Sequence, residues 1–138
     1  GDTLEVEAAT GHDPGQAVLG SRRAVGAGIA GWVADQRRPL ILGPVVDPKE
    51  FSGFEPSAVP LSAAMVVPIL LRDELVGVMS VASRTPGHAY DDSDLHAFEV
   101  FAETVGICIR HAEQARWLRS AAAGGRERGA APPLTSAA

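Results

Sequence analysis

The chain has one cysteine, one tyrosine and two tryptophans in 138 residues, and aromatic residues make up only 5% of it. A single thiol, Cys108, excludes an internal disulfide and any metal site built from several cysteines, which fits a reducing compartment. It also excludes redox chemistry in which one cysteine attacks and a second resolves. No apolar run approaches the ~20 residues that a membrane helix needs. The first residues show no signal-peptide pattern, so a cytoplasmic location and no membrane partner are expected. The net charge of -5 supplies no general attraction for nucleic acid. Arg22-Arg23 and Arg37-Arg38 lie near turns without interleaved aromatics and read as solvated surface. With rings so scarce, Trp32, Phe51, Phe54, Phe98, Phe101 and Trp117 are expected where packing is concentrated.

Catalytic signatures are also missing. There is no nucleophile elbow, no paired catalytic carboxylates and no phosphate loop, so no catalytic residue and no enzyme activity are expected. His12, His88, His96 and His111 form no chelating pair of the i, i+4 kind, and Asp92-Ser93-Asp94 lacks the glycine and distal glutamate of a calcium loop. Neither a metal nor a cofactor is expected.

What is present is ordinary for a globular protein, at 46% hydrophobic and 21% charged residues, in a length that suits one domain. The chain begins at Gly1 and enters directly into "TLEVEAAT", which reads as part of a longer protein. There Leu4, Val6 and Ala8 alternate with Glu5 and Glu7, the pattern of a half-buried strand. Gly11 to Gly15, around Asp13-Pro14, is a loop. Ala30 to Gln36 can make about two helical turns before Pro39 stops them, and "PLILG" is a short strand. Residues 43 to 62 hold four prolines, two glycines and two phenylalanines without a period, a long loop of the kind that often carries function. "AAMVVPILLRDELVGVMSVAS" reads as an antiparallel hairpin turning at Arg72-Asp73-Glu74. Its Pro68 calls for an edge or a bulge, and its two apolar faces call for cover on both sides. Asp91 to Asp94 cap a closing helix whose apolar stripe is Leu95, Phe98, Ala102, Val105, Ile109 and Ala112. Burying Leu95, Phe98, Val105 and Ile109 contributes roughly 6–12 kcal/mol in gross terms, so this helix must dock on the sheet. Cys108, between Ile107 and Ile109, reads as a buried, inert thiol. From Gly124 onward the composition suggests disorder, which gives a domain over 1–119 and a Gly/Ala/Pro-rich tail over 120–138.

"AVGAGIAGWVADQRRPLIL" contains Gly26-x-Gly28-x-x-Gly31, the letters of a dinucleotide-binding turn. That fingerprint requires a buried strand before it and a long helix after it. Here two arginines precede it and a two-turn helix follows. A tight turn at Gly26 and Gly28, and a close helix approach at Gly31, explain more.

These residues resemble the GAF domain family. "VGAGIAGWVADQRRPLIL" is similar to its Gly-Ile-Ala-Gly-Trp helix followed by proline and a strand. "SAAMVVPILLRDELVGVMSVAS" is similar to its Val-Pro hairpin, and "YDDSDLHAFEVFAETVGICIRHAE" to its closing helix, so the likeness spans roughly Leu4 to Ala115. The resemblance implies an α+β, GAF/PAS-like fold. Its antiparallel sheet would have about six strands, with terminal helices on one face and a ligand pocket on the other. The family's usual first helix and strand have no counterpart before "TLEVEAAT". Either they lie upstream or a partner covers the edge, and an uncovered edge predicts self-association or reduced stability. Where cyclic-nucleotide-binding members carry Asn-Lys, this chain reads Ser83-Arg84, and a structural bridge from Arg84 to an aspartate is expected there. Haem-binding members place a ligating histidine in the loop before the Val-Pro strand, and residues 51 to 64 contain none. The methionine sulfoxide reductases that resemble the family use several cysteines.

The expected function is therefore a non-catalytic sensory and regulatory domain that binds a small molecule and relays a signal. Its expected contacts are Asp47, Phe51, Phe54, Ser62, Met65 and Ser80, though the same residues also read as ordinary core. The alternative is a ligand-free dimerisation or interaction module, with the helix from Asp94 to about Arg119 transmitting register to an output domain. Gly124-Gly125 and Pro132-Pro133 would interrupt a rigid connection. The expected partners are an unknown small molecule, a second copy in a homodimer, and a tethered or separate output domain.

Overall fold

The computed structural model describes residues 3–6, 9, 22–56 and 60–124. In chain order these residues form β1 (Thr3–Glu5), β2 (Arg22–Ala24), α1 (Gly28–Gln36), β3 (Leu40–Leu42), β4 (Ala63–Leu71), β5 (Glu74–Ser83) and α2 (Asp92–Gly124). β1 and β2 pair as an antiparallel ribbon, and β3, β4 and β5 form an antiparallel sheet in that order. The architecture is α+β. Among the described residues the strands fall into two sheets rather than one sheet of about six. Ala8 and the Gly11–Gly15 loop lie outside the described residues, as does the tail beyond Gly124. α2 continues to Gly124, so residues 120–124 belong to the helix rather than to a tail.

The hairpin forms as its alternation requires. Val67 stands opposite Met79 and Val66 opposite Ser80, with a register shift between Ile69 and Leu70. β3 covers only Ala64 to Val66 of β4, so Pro68 lies where that edge is open and the bulge follows directly. Both features that proline demands are present. Arg72 and Asp73 form the two-residue turn, both with positive φ (51° and 65°), as a type I′ hairpin requires.

Each face of the sheet buries a separate cluster. On one face Val66 and Val78 pack with Val33 and Ala34 of α1 and with Leu4 of β1, and Leu40, Leu42 and Leu75 surround them. On the other, Val67, Ile69 and Val76 pack with Ala102 of α2, flanked by Leu95, Phe98, Val105 and Ile109. The closing-helix stripe docks as its spacing predicts, except that Ala112 is exposed. Gly106 is buried beside Ala102, and a Cβ there would lie 3.0 Å from Ile69 Cγ2, so this small residue lets α2 approach β4 closely. At the start of α2 the Asp94 amide donates to Asp91 Oδ1 (2.8 Å) and the Asp91 amide to Asp94 Oδ2 (3.0 Å), a reciprocal cap.

Two expectations fail on α2. Cys108 is exposed, not buried, and Phe101 is 58% exposed rather than a packing centre. At ~100° of rotation per residue, Cys108 lies about 200° around the helix from the buried Gly106. Phe101 lies about 100° from Ala102, beyond the reach of the sheet. β2 also escaped the sequence reading. All three of its residues are exposed, so no apolar pattern marks it, and Arg22 instead pairs with Glu5 at 3.0 Å.

Candidate functional site

The glycine-rich stretch is a structural junction. Gly26 and Gly28 both take positive φ, and a Cβ on Gly31 would meet the Ala24 carbonyl oxygen at 2.7 Å. Only glycine lets the first turn of α1 sit against the end of β2. The α1 N-terminus has no side-chain cap. Its Gly28 amide donates instead to the Ser52 carbonyl at 2.6 Å, so a donor that a phosphate would need is held by the 43–62 loop.

That loop docks on α1 through rings. Phe51 is buried, and its ring meets Trp32 edge-on at a centroid distance of 5.8 Å and Phe54 at 6.4 Å. Gly53, with φ of 71°, brings the loop backbone beside Ala27, where its Cβ would lie 3.6 Å from that of Ala27. Phe54 is half-buried, so the cluster runs from the interior to the surface. Trp32 is the residue that the sequence-based contact set lacks. Its place four residues before Gln36 on a short helix gives no sign that it faces the loop.

The other expected contacts separate. Ser80 stands opposite Val66, on the α1 face, and is exposed. Met65 shares the parity of Val67, so it stands on the α2 face, buried between Ile41 and Val81. Met65 and Ser80 therefore cannot line one pocket. Side chains two apart on a strand share a face and those one apart do not. Ser62 precedes β4, and its amide donates to the Ser83 carbonyl at 2.8 Å. Asp47 is exposed, and its Oδ1 accepts from the Lys49 amide at 2.9 Å, which makes it a turn-former in the loop. Among the described residues no helix is long and apolar enough to cross a membrane.

The fold matches known ones. A family model described as the GAF domain matches residues 1–110. The GAF-B domain of DevS from Mycobacterium smegmatis is similar at 20% identity and a TM-score of 0.56, with 73% of this chain and 66% of that one covered. The GAF domain of a phosphoenolpyruvate-protein phosphotransferase from Coxiella burnetii is similar at 19% identity and a TM-score of 0.56, covering 71% of this chain and 58% of that one. Its counterpart from Acinetobacter is similar at 17% identity and a TM-score of 0.59, covering 76% and 60%. The chain thus spans less than two thirds of the lengths of these solved domains. Domains of this kind are generally sensory or regulatory. With the family model covering most of its length and the Gly-Ile-Ala-Gly-Trp junction seated against the Val-Pro hairpin, the chain belongs to the GAF domain family.

Proposed function

We propose that this GAF domain is a non-catalytic sensory module that binds a small, largely apolar or aromatic molecule on the α1 side of the sheet. It acts in the cytoplasm and passes occupancy to a tethered or partner output domain. The observation that carries this reading is the Trp32–Phe51–Phe54 cluster, in which a long loop is held to α1 by ring edges and by a backbone bond from Gly28 to Ser52. A flat molecule placed beside the half-buried Phe54 would gain an edge-to-face contact of about 0.5–1.5 kcal/mol without displacing the buried Phe51. Ser80, exposed on the same face, supplies a polar contact, and Asp47 and Ser62 shape the two ends of the loop.

Native mass spectrometry of the purified chain, with thermal shifts across a panel of aromatic and heterocyclic metabolites, tests the reading. A retained small molecule, or a stabilising shift that Phe54→Ala removes, supports it. An empty protein with no shift from any member of the panel overturns it. A second reading, a ligand-free dimerisation module, is favoured by the exposed apolar residues of α2.

A further inference from the structure

Left-handed backbone at residues that carry side chains collects, among the described residues, at one place, the tip of the β4–β5 hairpin. Arg72 and Asp73 form the turn, with φ of 51° and 65°. Arg37, 36 positions before Asp73, ends α1 with φ of 53° and donates from Nη1 to the Asp73 carbonyl at 2.8 Å. Strained backbone of this kind is characteristic of segments that switch. The bond ties the C-terminal end of α1 to the turn from one face of the sheet.

The tip is also held from the other face. Arg110 of α2 donates from Nη2 to Glu74 Oε2 at 3.0 Å. The α2 residues in the buried cluster end at Ile109, so this pair stands where the helix leaves that cluster and runs on to Gly124. It is not a fully solvated pair, since the Arg110 side chain is only 23% exposed, against 45% for Glu74. Arg110 Nε is buried and has no acceptor among the described residues. Nε and Nη2 lie on one edge of the guanidinium plane, an edge that a carboxylate can grip with both oxygens. Glu74 therefore stands beside a buried donor and reaches only its neighbour. Leaving that donor unmet is unfavourable, so something must keep the carboxylate from it.

One peptide plane separates the two grips. The Asp73 carbonyl that Arg37 holds and the Glu74 amide belong to the same planar unit, whose tilt sets the direction in which Glu74 leaves the backbone. We propose that the hairpin tip is a coupler with two settings, through which α1 controls how firmly α2 is held. In the setting of this structure Arg37 fixes the Asp73–Glu74 plane, and Glu74 reaches Nη2 alone. When α1 shifts and Arg37 lets go, the plane tilts and Glu74 takes Nε and Nη2 together. α2 is then gripped by one more hydrogen bond as it leaves the sheet. The Arg37 bond is exposed and therefore weak, so a small movement of α1 releases it. At its other end α1 is tied to the 43–62 loop through the Gly28 amide and the Ser52 carbonyl, which gives that loop a route to α2 across the sheet. The coupler works with or without a ligand, so its failure leaves the sensory reading standing.

Nuclear magnetic resonance of the whole isotope-labelled chain tests the proposal, through the Arg110 Nε–H signal and amide hydrogen exchange along α2. Arg37→Ala removes the donor while keeping the same left-handed backbone cost. Exchange of the Arg110 Nε proton, and of the amides from Arg110 to Gln114, should then slow by about 2–10-fold, the equivalent of one added hydrogen bond. Arg38→Ala deletes the same charge one residue on and should leave both readouts unchanged. Arg37 and Arg38 are exposed, so both variants should keep their helicity and unfolding midpoint. In a Glu74→Ala or an Arg110→Lys background, Arg37→Ala should no longer slow the α2 amides, because the carboxylate or the guanidinium edge is gone. Unchanged or faster exchange in Arg37→Ala overturns the proposal. Slowing that Arg38→Ala reproduces overturns it as well, since net charge would then be the cause. Slowing that persists in either background overturns the route through Glu74 and Arg110.

Discussion

α1 fully buries Gly28, Gly31, Val33 and Ala34 and is overlaid by a loop, while the longer α2 fully buries only Ala102 and Gly106 against the other face. Each helix adds partly buried large side chains, Ile29 and Trp32 on α1 and Leu95, Phe98, Val105 and Ile109 on α2. α1 is nine residues long and takes its cap from a carbonyl 24 positions away, at Ser52. α2 is 33 residues long and caps itself with Asp91 and Asp94. The short helix is thus held by its surroundings, and the long one is largely set by its own sequence. A change in the 43–62 loop therefore acts on α1 directly, through Phe51 and the Ser52 carbonyl.

The ring cluster offers the hardest test of that contrast. Phe51→Ala removes a buried ring that both Trp32 and Phe54 touch, and should cost about 3–5 kcal/mol in urea unfolding. Phe98→Ala on α2 removes a half-buried ring and should cost about half as much. Equal losses would mean that the loop is no more tightly integrated than the outer helix.

Two glycines sharpen the comparison further. Gly31→Ala drives a Cβ to 2.7 Å from the Ala24 carbonyl oxygen, where only backbone can yield, and should cost about 2 kcal/mol after the gain in helix propensity. Gly106→Ala meets Ile69 Cγ2 at 3.0 Å, a branch methyl that must give by only a few tenths of an ångström where Gly31 would need the backbone to move. Its cost is offset by ~1 kcal/mol of helix propensity, so the net change should stay within about 1 kcal/mol. Chemical denaturation of both variants decides it, and a reversed order would refute the view that α1 is fixed by its neighbours.

The caps differ in kind. Asp91→Ala removes one half of the reciprocal cap and should cost about 1 kcal/mol, with faster amide exchange confined to the first turn of α2. Ser52→Ala should cost almost nothing, because its main-chain carbonyl, not its hydroxyl, receives the Gly28 amide. A substantial loss at Ser52 would show that the hydroxyl has a part the structure does not give it.

How far the sequence foretold this follows from where the information lies. The hairpin, its Pro68 irregularity, the Asp91–Asp94 cap and the Gly31 close approach all depend on a residue and its near neighbours, and each is legible. β2 is not, since Arg22, Arg23 and Ala24 are strand only because β1 lies beside them. The split of the candidate site is a matter of register. Met65 and Ser80 look equivalent as strand residues until the pairing of Val66 with Ser80 puts them on opposite faces. Cys108 and Phe101 fall outside the stripe that helical spacing assigns to the sheet. Their expected burial rests on apolar neighbours in sequence and on the scarcity of rings, and neither of those says which way a helical side chain faces. The α1-side contacts of Phe51 with Trp32 come from a loop without a period, where only the fold brings the rings together.

The smallest effects are expected where the two halves of the molecule meet. Arg37, Arg72 and Asp73 are the non-glycine residues with positive φ among the described ones, and Arg37 Nη1 donates to the Asp73 carbonyl at 2.8 Å. Asp73→Gly relaxes the second position of a type I′ turn while leaving that carbonyl in place, and should stabilise the domain by about 0.5–1 kcal/mol. Arg37→Gly relaxes a similar strain at the α1 C-terminus but deletes the donor to Asp73. An exposed bond from a charged side chain contributes little more than the strain costs, so the two terms should nearly cancel. Thermal unfolding of the pair separates them. A rise of a few degrees for Asp73→Gly with none for Arg37→Gly would show that the bond offsets the left-handed backbone. Equal rises would show that the bond adds nothing, and that α1 is held to the hairpin by its buried face alone.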